Sequence, residues 1–552
     1  MSKMDNITNN NLNNLNNLNN LTNIQNDIHL NLNLEYDPLK ISVIDDIKLY
    51  IDFFSDKKLF KIMKKHLDLN ELSKIDTYVV NKILNPFYED YLNLRQTYYQ
   101  NLILDVYFVL NNPFLYSTVQ LKNIYDNLDL ISEIPNIIEK CLHNVYSNDK
   151  LRNFYNEFLF ERWVNNVDFK KVSFEKYKKL MEHTVYGKDL DKLQKFYFMY
   201  ETVWNWFELI VEKTKNIIKI FHQKYKGKNH NGGCYLISKD YYAYCCELNI
   251  GLPIGTEIPI NNILQWGIKE FEKVSKLMKV VIDKLEPQLK DKSVEESIKI
   301  INSMKKYKYT SREEYLLDHK DTIKKYRDYF VNEKKLPLLA EPILVDFDEE
   351  KMAGGYWWLD TFYINTNRWM DTNKFDTSAL VLHETIPGHH MQISYELHNN
   401  NITSLILWFP ILENGYAEGW GLFAEKLIPD LDHFKLLGIL SFLMLRTLRI
   451  IVDISIHNYG MDPKEVMVFL QKYLPMPKES IESELYRYVS LPGQALCYKL
   501  GDEIIRRMFI NNFERTDKLL DDDAISFYDK LIRDGLMPLE ILCKLHNVSY
   551  KF

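Results

Sequence analysis

The chain has 552 residues, 46% of them hydrophobic and 26% charged, and a net charge of −7. This is an ordinary globular composition, and acidic and basic residues are mixed along it, which excludes the basic stripe or face of a nucleic-acid binder. Six cysteines are scattered without a C-x-x-C pair, and the first residues are polar rather than basic and then apolar. No secretory signal is therefore expected, and the thiols read as reduced in a cytoplasmic setting.

Residues 1–34 are Asn-rich and of low complexity, with Leu12, Leu15, Leu18 and Leu21 three apart. Asparagine is a poor helix former and the segment carries little apolar mass, so it reads as disordered. From 35 to about 335 the pattern predicts long amphipathic helices. Phe60, Met63 and Leu67 make one apolar stripe at helical spacing; Val203, Phe207, Ile210 and Val211 make another. Asn229 to Gly233 reads as a loop. Near 340–366 the texture changes: 343–347, 356–358 and 362–365 are rich in aromatic and β-branched residues, predicting a small antiparallel sheet.

Helices return after the sheet, with breaks at Pro410, Pro463, Pro475 and Pro492. The stretch 436–456 is apolar enough to suggest a membrane span. Arg446, Arg449 and Asp453 within it would each cost roughly 2.5 to 3.5 kcal/mol at a bilayer centre, so it reads as a buried helix. No linker divides 35–552, which is expected to be a single, mainly α domain: a large helical bundle with the small sheet set beside one helix.

That helix, predicted over 378–398, carries His383-Glu384-Thr385-Ile386-Pro387-Gly388-His389-His390. Catalytic zinc takes three imidazole or carboxylate ligands and leaves a position open for water. In the H-E-x-x-H arrangement the histidines lie one turn apart, and the glutamate acts as general base toward the attacking water. Here two residues are inserted and Pro387 stands where the second histidine would be. In a straight helix, at about 100° and 1.5 Å per residue, His390 would share the face of His383 while His389 pointed about 120° away. Pro387, however, cannot donate to the carbonyl of His383, and its ring clashes with it. The helix must bulge or kink, with Gly388 absorbing the distortion, and this brings His389 rather than His390 to the position of second ligand.

A third ligand is available on 413–425. Glu418 and Glu425 are seven apart and share a helical face. A carboxylate on such an aromatic, apolar helix is costly unless paired or metal-bound. Glu418 is read as a ligand, Glu425 as the partner of a ligand imidazole. Gly419 and Gly421 suggest close helix-to-helix approach. Later in the chain Arg449, Asp453 and His457 are four apart on one face. His457 and Tyr488 are candidates to stabilise the oxyanion of a tetrahedral intermediate; the alternative is an Arg-Asp-His ion-pair ladder. Arg487 is a candidate for holding a substrate carboxylate, or for pairing with Glu482 or Glu484. Gln494, Tyr498 and Lys499 are lesser candidates.

The eight residues from His383, then Glu418-Gly419-Trp420, then Pro492-Gly493-Gln494-Ala495, resemble in that order the domain-of-unknown-function 885 family. Its members carry H-E-x-x-P-G-H-H, an E-G-W-A-like helix and an R-Y…P-G-Q-A segment. Ser238 to Gly267 is similar too, so the resemblance spans roughly residues 100 to 545, with Gly421 standing where alanine is usual. The resemblance implies a helical zinc metallopeptidase of gluzincin-like plan with glutamate as third ligand, similar to oligopeptidases and helical carboxypeptidases. The expectation is a cytoplasmic hydrolase with one zinc ion, in which 35–552 is the catalytic domain and Glu384 the general base for cleaving short peptides. The alternatives are a zinc hydrolase of a non-peptide amide or ester, and a helical binding protein with a retired metal site. Neither nucleic acid nor membrane is an expected partner; cleavage polarity and oligomeric state stay open.

Overall fold

A computed structural model describes residues 48, 82, 85, 87–94, 101–111, 115–147, 169, 171–181, 189–225, 237–347, 355–358, 361–398, 414–474, 476, 478–534 and 537–552. The Asn-rich start, the 60–67 stripe, the 229–233 loop and the break at Pro410 lie outside these residues. The chain forms two compact units. Of the described residues, one takes in Lys48 and those within 103–132 and 169–210; the other takes in those within 82–102, 133–147 and 211–552. In the first, the rings of Tyr107, Phe169, Trp204 and Phe207 pack on one another. The stripe expected at Val203, Phe207, Ile210 and Val211 is buried along the helix Leu190–Tyr225.

The second unit carries the chemistry-bearing residues. Its helices here are α1 (Lys239–Ile250), α2 (Ile260–Leu285), α3 (Thr377–Glu384), α4 (His389–His398), α5 (Asn414–Ala424), α6 (His433–Tyr459), α7 (Lys478–Ser490) and α8 (Cys497–Phe513). Strands β1 (Ile343–Phe347), β2 (Gly355–Trp358) and β3 (Thr361–Asn365) form one sheet. The sheet corrects the antiparallel expectation. Its order is β1-β3-β2, with β2 antiparallel to β3 but β1 parallel to it. Successive strands run in opposite directions, so the first and third run the same way, and β3 lies between β1 and β2. Phe362 and Ile364 of β3 join Tyr309 and Tyr315 in a buried cluster, and Leu380 of α3 packs against it. The sheet thus braces the helix that bears His383.

Helix α6 shows why an apolar run can carry charge. It is capped by the Asp432 side chain at its start and by Gly460, at φ 72°, at its end. Arg446, Arg449, Asp453 and His457 lie three or four apart and are all buried, so they form one face turned inward. Among the described residues no helix is long and apolar enough to cross a membrane.

The helices meet through glycine where side chains would hold them apart. A β-carbon at Gly267 of α2 would lie 2.8 Å from Ile450 of α6. One at Gly501 of α8 would lie 1.9 Å from the carbonyl oxygen of Gly415, and one at Gly419 would fall 2.5 Å from Gly501. Helices α5 and α8 therefore touch backbone to backbone. Gly501→Ala is expected to destabilise the fold by about 1–3 kcal/mol, because overpacking outweighs the roughly 1 kcal/mol that alanine gains in helix propensity. Urea unfolding measures it; an unchanged midpoint would show that the two helices can separate freely.

Candidate metal centre

His383 and Glu384 occupy the last turn of α3, both largely buried. The sequence predicts one kinked helix over 378–398, but the structure shows two. Helix α3 stops as Thr385 takes φ −118° and ψ −109°, and α4 begins at His389. Pro387 supplies no donor to continue the ladder. A β-carbon at Gly388 would stand 2.1 Å from the carbonyl oxygens of Leu382 and His383, so only glycine lets the chain fold back over the helix end. Trp420 of α5 donates its indole N–H to the carbonyl of Pro387 at 2.8 Å. The tryptophan two residues after Glu418 thus ties the break to the helix that carries that glutamate.

The break sets His389 beside His383, ring centroids 4.7 Å apart and planes at 86°. Glu418 Oε2 lies 3.5 Å from His383 Nε2 and 3.4 Å from His389 Nε2. One ligand atom from each of the three residues falls within 4.8 Å of the others, a group able to hold a metal ion. Donors at about 2.0–2.2 Å from a tetrahedral zinc stand roughly 3.3–3.5 Å from one another, so both donor type and spacing suit the ion. Behind the cluster, Glu425 Oε1 approaches His383 Nδ1 at 2.9 Å, although the contact is bent rather than aligned as a hydrogen bond. Arg446 Nη2 stands 3.8 Å beyond. Gly421 makes room: a β-carbon there would come within 2.8–3.0 Å of three atoms of the His383 ring.

Burial disfavours the His383 imidazolium, yet Glu418 and Glu425 outweigh it and hold its pKa up to about 9. Burial likewise opposes the Glu418 carboxylate, but His383 and His389 pull it well below the usual range. The side chain of Glu384, 8% exposed, has no hydrogen bond or ion pair with any described residue. Glu425→Ala should weaken zinc affinity by roughly ten- to a hundredfold, as losses behind a ligand do. A chelator titration measures this. An unchanged affinity would show that Glu425 does not orient the ring.

Other residues singled out from the sequence have different neighbours. His390 donates from Nε2 to the carbonyl of Ala340 at 2.7 Å, so it braces α4 against the chain before the sheet. His457 donates to the carbonyl of Tyr488 at 2.8 Å and stacks on Tyr242; burial pushes its pKa down to about 4. The Tyr488 hydroxyl donates to Glu484 at 2.6 Å and accepts from Arg449. Asp453, pushed up to about 7 by burial, accepts from the Tyr242 hydroxyl at 2.6 Å and from the Gly493 amide at 3.0 Å. The face of α6 is therefore no ladder: its groups reach across to other elements, Arg449 and His457 to α7, Asp453 to α1 and the Gly493 amide. Gly493, at φ 83°, packs its Cα on the backbone of Cys246, so the Pro-Gly-Gln-Ala segment is a turn seated on α1.

Arg487 donates to the Tyr498 hydroxyl at 2.6 Å rather than to Glu482 or Glu484. Tyr498 is more central than its sequence suggests. Its ring lies nearly parallel to that of His383, centroids 6.4 Å apart, and faces the guanidiniums of Arg446, Arg449 and Arg487. Arg446 was not singled out; its place one turn before Arg449 on the same face was the available signal.

The fold and the site define a helical protein with a His/His/Glu cluster able in principle to bind a divalent metal. Residues 205–545 match the family described as "Bacterial protein of unknown function (DUF885)", and the chain belongs to that family. No curated protein matches. Among solved structures, a candidate lipoprotein of Colwellia psychrerythraea aligns with TM-score 0.57 and 20% identity, over 81% of this chain and 76% of that one. A candidate lipoprotein of unknown function from Shewanella oneidensis aligns with TM-score 0.55 and 15% identity, over 92% and 94%. These likenesses share the fold. They also overturn the cytoplasmic placement: the fold occurs in proteins described as lipoproteins, so it carries no cytoplasmic address. Buried free cysteines do not restore that placement.

Proposed function

We propose that this protein is a zinc-dependent hydrolase, a metallopeptidase of the helical, glutamate-ligand (gluzincin-like) plan that acts on short peptides. The observation that carries the reading is the convergence of His383, His389 and Glu418 next to an uncommitted carboxylate, Glu384. Zinc held by those three residues supplies a Lewis acid that acidifies water and polarises a carbonyl. Glu384 takes the proton of the attacking water and passes it to the leaving amine. Glu425 lies against His383 Nδ1 at 2.9 Å, on the side of the ring away from Nε2, which faces Glu418. Strand β2 is a sheet edge beside α3, and an extended peptide laid along such an edge gains main-chain hydrogen bonds.

His457 and Tyr488, the oxyanion candidates, are given no step in this scheme: His457 Nε2 is bound to the Tyr488 carbonyl and the Tyr488 hydroxyl to Glu484. Elemental analysis of the purified protein is expected to find one zinc per chain. Incubation with a mixture of short peptides is expected to give cleavage that a chelator abolishes, read by product mass. Protein that takes up no zinc on reconstitution, or that binds zinc and cleaves no peptide, would overturn the proposal.

A further inference from the structure

Resting on the hydrolase reading, we infer that Arg487 with the Tyr498 hydroxyl binds the free C-terminal carboxylate of the peptide, so that cleavage falls near that end. The argument begins with charge. Three guanidiniums face the single ring of Tyr498, at 4.4 Å for Arg449, 5.5 Å for Arg446 and 5.6 Å for Arg487. Like charges gathered out of water are costly unless anions balance them. Arg449 has its anion, Glu484, at 2.7 Å. Arg446 faces Glu425 at 3.8 Å, a carboxylate already committed to His383. Arg487 has no carboxylate at ion-pair distance: Glu484 and Glu418 act on it only from farther off, and among the described residues its hydrogen bond is to the neutral Tyr498 hydroxyl.

Donors are also left open. Arg449 Nη1 and Arg446 Nε are buried and lack a hydrogen-bond partner among the described residues. Arg487 itself is half-buried, so its remaining N–H groups are the reachable ones. A planar guanidinium with free donors matches a carboxylate in two-pronged fashion. Position then decides which carboxylate. The Arg487 guanidinium and the His383 imidazole both neighbour one phenol ring, 5.6 and 6.4 Å from its centre, and so stand no more than about 12 Å apart. An extended peptide advances about 3.3–3.6 Å per residue, so only a few residues fit between the bound carboxylate and a carbonyl at the zinc ligands. The product released from the C-terminal side is then a single amino acid or a very short peptide.

The test separates this inference from the reading beneath it. Zinc-loaded Glu384→Gln protein is titrated by calorimetry with N-acetyl-trialanine, its C-terminal amide, and the amide of the same peptide ending in glutamate. The free acid is expected to bind about ten- to a hundredfold more tightly than either amide, the range of charge-assisted hydrogen bonds. Arg487→Gln, added to that protein, should abolish the preference. Tyr498→Phe, which frees Arg487 from its tether while keeping the ring, should reduce it severalfold. Equal binding of acid and plain amide overturns the site, whether or not the wild-type protein cleaves peptides. Equal binding of the acid and the glutamate amide overturns its assignment to the chain terminus. An undiminished preference in both variants removes it from Arg487. Preference for the acid without any peptide cleavage by the wild-type protein leaves the carboxylate site standing and overturns the hydrolase reading alone.

Discussion

Glu384→Gln is expected to retain zinc and to lower peptide turnover by at least about a hundredfold, the lower end of general-base effects. The substitution keeps size and shape, so α3 and the neighbouring His383 should hold their places. It removes only the site that takes a proton. Two features make the residue suited to that work rather than to holding the fold. It follows a histidine of the cluster directly in the chain, and its carboxylate, on a residue only 8% exposed, is bound to no described residue. A carboxylate that held the fold together would be engaged by a neighbouring side chain or amide, and this one is not. Metal content by elemental analysis and turnover by product mass are read on the same preparation. A glutamine variant that stays active would place the base elsewhere; one that loses zinc would make Glu384 a ligand.

The His383, His389 and Glu418 cluster was legible in the sequence because it rests on residue types and local breaks. Histidine and glutamate at those spacings have few other reasons to gather, and Pro387-Gly388 announces that the helix cannot continue. Which way the chain turns after the break was also implied, since only a change of direction brings position 389 alongside 383. Full interruption, rather than a bulge, was not. It depends on Gly388 lying against the carbonyls of Leu382 and His383, and on the Trp420 indole reaching the Pro387 carbonyl, and both are tertiary contacts.

The remainder of the site followed a different rule. Periodicity placed Arg449, Asp453 and His457 on one buried face of α6, correctly, but a period names a face and not what faces it. Tyr242, Glu484 and the Tyr488 carbonyl supply the partners, and they come from α1 and α7. Tyr498 reaches His383 because α8 lies on α5 with glycine at the contact, a closeness that Gly501 permits but no local pattern states. The sheet illustrates the same limit. Strand identity follows from composition, whereas the parallel pairing of β1 with β3 follows from where β3 inserts.

Glu418→Ala should abolish zinc retention through dialysis and peptide turnover with it, because two imidazoles alone make too weak a site. The effect should exceed that of Glu425→Ala, since Glu418 Oε2 lies within 3.5 Å of both His383 Nε2 and His389 Nε2, whereas Glu425 approaches His383 from its far nitrogen. The histidine pair gives an independent check on the same cluster. His389→Ala removes a donor from the group and should lose the metal. His390→Ala removes a hydrogen bond to the part-buried Ala340 carbonyl instead, and should keep the metal at a stability loss of about 0.5–1.5 kcal/mol, the net worth of one hydrogen bond. Zinc stoichiometry after dialysis and urea unfolding together read the two outcomes. Metal kept in His389→Ala and lost in His390→Ala would mean that α4 turns its other histidine to the ion when the ion is bound. Greater metal loss in Glu425→Ala than in Glu418→Ala would exchange the two glutamates, making Glu425 the ligand and His383 Nδ1 the coordinating nitrogen. No outcome but the first order of severity fits an ion that would be held by the two Nε2 atoms and Glu418 Oε2.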